Sequence, residues 1–169
     1  MSQEVPSEPP PAGPSMLEIP PKKLVGMRIK TSLAEQRTQE LWQQFKSRLK
    51  EIDRGAFEGY YSIQYFPKDL TFQDFHPHTL FEKWAAVEVA HFENIPVGME
   101  SHLLAGGKYA VFIHHGPVST AQQTLQYIFE DWLPNSGYEL DNRAHFEFMG
   151  EDYRPLDPNA TEAFWIPIQ

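Results

Sequence analysis

One order of elements is read twice along this chain, and few folds accommodate it. Leu24 to Ile29 alternates as a strand, with Val25, Met27 and Ile29 on one face. Ser32 and Glu35 form an S-x-x-E capping box. The helix predicted behind it aligns Leu41, Trp42, Phe45, Leu49 and Ile52 on one stripe, and Gly55 and Gly59 end it. Strands follow at 61–66 (YSIQYF) and 83–89 (KWAAVEV), and Pro96 and Gly98 mark a break. The round then repeats. A strand at 108–114 (KYAVFIH) leads to an S-x-x-Q box at Ser119 and Gln122. A second helical stripe holds Ala121, Leu125, Ile128, Phe129, Trp132 and Leu133 and stops at Pro134–Gly137. Strands at 145–149 and 163–168 close the chain.

This order predicts an α+β fold built from a duplicated strand–helix–strand–strand module with antiparallel sheets. The two pseudo-repeats fall at residues 16–95 and 96–169. Two helices are expected on one sheet face, leaving the other to form a central ligand cleft between the halves. Residues 1–15 (MSQEVPSEPPPAGPS) hold five of the fifteen prolines and are expected to be a disordered tail.

Composition narrows the function classes. The formal charge is −9 with no basic stripe to offset it, so direct nucleic-acid binding is not expected, while cations are attracted. There is no cysteine, hence no disulfide, thiolate metal site or thiol nucleophile. No apolar run is long enough to span a bilayer, so no membrane association is expected and a cytoplasmic location is the default. Twelve Phe, seven Tyr and four Trp exceed what a core of this size needs, so some rings are expected to line a cleft. His76 and His78 lie in a loop without a third ligand, and the adjacent His114 and His115 point to opposite strand faces; no metal is expected. Gly106–Gly107 lacks a phosphate-loop pattern, and no cofactor is expected.

The segments KWAAVEV, IPVGMESHLLAGGKYAVFIHHG, YIFEDWLPNSGYELD, HFEF and FWIPI, in this order and spacing, resemble the GyrI-like small-molecule-binding domain. That domain is similar to the effector-binding domain of AraC-type transcription regulators. The resemblance covers residues 16–169 and implies the duplicated fold, a central cleft, and lipophilic, often cationic ligands held near an acidic residue of the penultimate strand. It also implies two further activities in the family, hydrolysis of reactive cyclopropane-bearing compounds and action on gyrase. No helix-turn-helix is read in the sequence, so the expectation is a ligand-binding module without a DNA-binding part of its own.

Several residues are candidates for the site. Glu147 alternates with Phe146 and Phe148; with those rings against the helices, Glu147 faces the cleft, where an apolar wall makes a carboxylate seek a cation. The bland alternative is a solvent-facing acid or a partner for Arg143. Trp84, Ala86 and Glu88 share one strand face, a plausible cleft wall or else an edge charge that deters aggregation. Trp165, opposed in facing to Phe164 and Ile166, offers a ring to a cation or planar guest. Tyr65, Tyr109 and Phe112 are weaker candidates for the same wall, and Trp42, Phe45, Phe129 and Trp132 are assigned to the core. The leading expectation is binding of a lipophilic, cationic or planar small molecule. A hydrolase using Glu88 and Glu147 as a general acid/base pair is the first alternative. An acidic inhibitor of a DNA-handling enzyme such as gyrase is the second, with no protein partner indicated.

Overall fold

The chain builds one eight-stranded antiparallel sheet in the order β1-β6-β8-β7-β3-β4-β2-β5, with helices on one face. The computed structural model describes residues 13–35, 37–68 and 74–169; most of the proline-rich tail, residues 1–12, lies outside the described residues. The strands are β1 (Ser15–Ile19), β2 (Lys22–Thr31), β3 (Tyr60–Tyr65), β4 (Phe81–Glu88), β5 (Glu100–Leu104), β6 (Gly107–His115), β7 (His145–Met149) and β8 (Thr161–Pro167). Six match the strands read from sequence. The short edge strands β1 and β5 were not read, and Ser15, assigned to the tail, starts β1. The order is symmetric about the central β7–β3 pair.

Helix α1 (Thr38–Ser47) begins later than its capping signal implies: Ser32 Oγ accepts from the Glu35 amide at 3.3 Å, but this closes a turn ahead of the helix. Helix α2 (Ala121–Tyr127) starts without a side-chain cap, widens into a π turn (Ile128–Trp132) and ends in a last helical turn, α3 (Leu133–Ser136). Pro134 is tolerated at the start of that last turn, and Gly137 terminates it with φ of 78°. No helix among the described residues is long and apolar enough to cross a membrane.

The sheet must curl. Pro20 and Pro21 alone join β1 to β2, and Ala105 and Gly106 alone join β5 to β6. Each such link spans at most about 11 Å. In a flat sheet the strands it joins would be six positions apart, roughly 29 Å. The two links meet at the seam, where a Cβ on Gly106 would come within 2.4 Å of the Ile19 carbonyl oxygen. Only glycine permits that backbone contact. Curling turns the helix-free face into an enclosed interior. There Leu24, Tyr61, Ile63, Trp84, Tyr109 and Phe146 pack as one core, with Tyr65, Phe148 and Trp165 at its margin. On the other face α1 buries Leu41 and Phe45 against Val25, Ala85 and Val87. The α2 segment buries Ala121 and Ile128 against Ala110, Phe112, Phe164 and Ile166.

Candidate functional site

The helices cover the two flanks of the outer sheet face and leave its centre open. Helix α1 sits over β2 and β4, and α2 over β6 and β8. On the uncovered middle the side chains change character. Register places Ser62 beside Glu147 and Gln64 beside both Lys83 and His145. Glu147 is also paired with Phe164, and Glu162 with His114 and Met149, so all of these share one face. Each central strand therefore presents polar groups outward and rings inward, by simple alternation.

Above this floor lies a cavity of about 460 Å³, within the range of small-molecule sites. Its floor includes Lys83, His145 and Glu147, and its walls include Phe66 and Phe75 from the loop after β3, Phe81 from β4, Phe129 from the π turn and Phe164 from β8, with Lys68, Asp141 and Arg143 also lining it. Phe129, read as core from the helical stripe, lies in the π turn, packs against the core cluster under α2 and also lines the cavity. His145 lies against Phe66 (5.1 Å between ring centres) and Phe129 (6.1 Å).

The electrostatics of the floor follow from burial. Apolar surroundings push the His145 imidazole down to about 4, so it is neutral at pH 7. Burial also pulls the Lys83 ammonium down, against the upward pull of Glu147 and then Glu162. With its amide turned so that the oxygen meets the ammonium, Gln64 accepts a hydrogen bond from Lys83 Nζ and donates to the His145 carbonyl at 3.1 Å. Glu162, 5 % exposed, is pushed up to about 7, first by desolvation and then by Glu147, with Lys83 and then Tyr153 opposing. Arg143 is not the partner of Glu147. It pairs with Asp141 at 2.6 Å, donates to the carbonyls of Gly106, Lys108 and Ile168, and stacks on Tyr109.

The structure divides the residues singled out by sequence. Glu147 lines the cavity, but with the opposite surroundings to those expected: Phe146 and Phe148 face the curled interior, and Glu147 shares the face of the helices. The cleft expected on the helix-free face is filled, because the curl packs that face against itself. Trp84, Tyr65, Tyr109 and Trp165 are consequently interior residues that do not line the cavity. Trp84 stacks on His102 at 4.5 Å and donates to Glu82 at 2.6 Å. Tyr65 OH contacts His102 Nε2, and Tyr109 OH donates to the Ala105 carbonyl. Trp165 stacks on Phe146 at 5.1 Å. Glu88 also belongs to that face, accepting from Tyr61 OH at 3.2 Å and pairing with Lys22 at 3.6 Å. Glu88 and Glu147 are thus separated by the sheet and cannot act together on one water, which corrects the acid/base pair. Phe112 lies beneath α2 against Trp132, outside the cavity. Sequence reasoning missed Lys83, Gln64, His145 and Glu162; their signal was a polar residue at alternate positions of four strands that are otherwise apolar.

A curled antiparallel sheet with two helices on one face and a ring-walled, charged-floored cavity between them defines an α+β binding domain. The model of the GyrI-like small molecule binding domain matches residues 13–169, and the chain belongs to that family. The transcriptional regulator BrlR of Pseudomonas aeruginosa is 29 % identical over 154 residues. That match takes in 90 % of this chain and 54 % of BrlR, so the chain spans about half the length of the curated relative it matches. Among solved structures, SAV2435 bound to tetraphenylphosphonium superimposes with a TM-score of 0.71 at 17 % identity, over 92 % of this chain and 93 % of that one. The C-terminal domain of EcmrR does so with a TM-score of 0.66 at 13 % identity, over 92 % and 96 %.

Proposed function

We propose that the cavity between α1 and α2 binds a lipophilic, cationic or planar aromatic small molecule, with Glu147 as its charge partner. The observation that carries this reading is a carboxylate on the floor of a cavity whose walls are rich in phenylalanine. Ring faces attract cations, and a carboxylate in such a setting gains more from a cation than from water it has partly lost. The tetraphenylphosphonium held by SAV2435, a protein of the same fold, supports the choice of guest. The symmetric strand order supports a second reading, that the halves are two copies of one module and the cavity straddles their junction at β3 and β7. The chain would then capture or sense an amphipathic compound, as befits a domain whose relative BrlR is a regulator.

Calorimetric titration with tetraphenylphosphonium tests this. Wild-type protein should bind in the micromolar range, and Glu147→Gln should weaken binding at least about tenfold, or about 1.4 kcal/mol. The neutral triphenylphosphine oxide should bind more weakly than the cation and be indifferent to the substitution. Equal affinity of wild type and Glu147→Gln for the cation would defeat the assignment.

A further inference from the structure

We propose that a monocationic ligand enters this cavity in exchange for a proton held on the buried carboxyl of Glu162. The inference rests on the cation-binding reading above and concerns how the site balances charge. Three ionisable side chains of the outer face form one cluster: Lys83 from β4, Glu147 from β7 and Glu162 from β8. Lys83 and Glu147 line the cavity. Glu162 lies behind, diagonal to Glu147 across the β7–β8 pair, at a spacing from which long side chains interact.

Counting charges fixes the resting state. Of the other charged residues that line the cavity, Arg143 and Asp141 pair with each other and Lys68 is exposed, so among the buried groups one ammonium balances one carboxylate. A second ionised carboxylate would leave a net negative charge in a buried setting, at a large desolvation cost. Glu162 carries the structural mark of the group that resolves this: its Oε1 is buried without a hydrogen-bond partner. A buried oxygen without a donor suits a neutral carboxyl better than a carboxylate. The upward displacement of Glu162, to about 7, agrees with that placement.

Other titratable groups stand near Glu162. From β6, His114 stands opposite it in register, with Nδ1 2.9 Å from Thr124 Oγ1 and Nε2 3.1 Å from Thr120 Oγ1. From the segment after β7, Tyr153 faces it, and its hydroxyl is pushed up by burial and the nearby acids. On the cavity floor, His145 is already neutral. A cation placed against Glu147 adds a second positive charge. Ionisation of Glu162 restores two positive against two negative groups, and its proton passes to solvent. A neutral guest makes no such demand.

The test is titration of wild-type protein with tetraphenylphosphonium at pH 6, 7 and 8, each in two buffers of different ionisation enthalpy. Expected is release of close to one proton at pH 6, about half at pH 7 and little at pH 8, with affinity roughly tenfold weaker at pH 6 than at pH 8. Glu162→Gln should abolish the release and flatten the pH dependence. The wild-type buffer comparison decides the matter even if that variant folds poorly. Cation binding without proton release would overturn the exchange and leave the cation site standing. Release that persists in Glu162→Gln would transfer the proton to Lys83 and overturn the assignment. Absence of cation binding at every pH would overturn the site itself.

Discussion

Replacing Lys83 by Met removes one charge from the cavity floor while keeping the shape of the stem. The Lys83 side chain is buried, its ammonium meets Gln64, and Glu147 and Glu162 act on it. Methionine fills nearly the same volume, so packing loss is small. What remains at pH 8 is two carboxylates without their cation, and stranding buried charge in this way costs about 3–5 kcal/mol. The sign with pH follows from linkage. In the variant Glu162, already pushed up by desolvation and by Glu147, loses the opposing pull of Lys83. Its penalty is therefore absent below the unfolded value and grows as pH rises through the folded value. Urea unfolding followed by tryptophan fluorescence should show a small deficit of about 1 kcal/mol at pH 5 and the full loss at pH 8. With a slope of about 2 kcal/mol/M the pH 8 midpoint falls by about 2 M. An equal deficit at both pH values would mean that Lys83 acts through packing alone, and no deficit at pH 8 would mean that it carries no charge there.

Two further outcomes follow from the packing. Phe45 is 0 % exposed beneath α1, so Phe45→Ala should cost about 3–5 kcal/mol by thermal or urea unfolding and loosen α1 from β2 and β4. Trp165 Nε1 is buried without a partner, so Trp165→Phe should cost less than about 1.5 kcal/mol and leave tetraphenylphosphonium affinity unchanged, since the ring faces away from the cavity.

Much of the fold was legible because alternation and helical stripes are local signals. The stripe through Leu41 and Phe45 and the alternation of His145 to Met149 correspond to α1 and β7. The edge strands were not legible: SMLEI and ESHLL are five residues each and largely exposed, so neither face is marked. The site was half legible. Alternation separates Glu147 from Phe146 and Phe148, but it does not say which set the helices cover when both faces are apolar. The deciding facts are non-local. Two-residue links join strands at opposite ends of the sheet, and the resulting curl makes an interior of the face that holds Trp84, Tyr109 and Trp165. The polar middle of the outer face had a readable sign in Ser62, Gln64, Lys83, His145, Glu147 and Glu162, polar residues at matching parity on four adjacent strands.

A crystal structure of the protein soaked with tetraphenylphosphonium would locate the guest directly. The account expects its density between α1 and α2, with phenyl groups against Phe66, Phe81 and Phe129 and the phosphonium facing Glu147. Density on the opposite face beside Trp84 or Trp165, with the cavity between the helices left vacant, would contradict it.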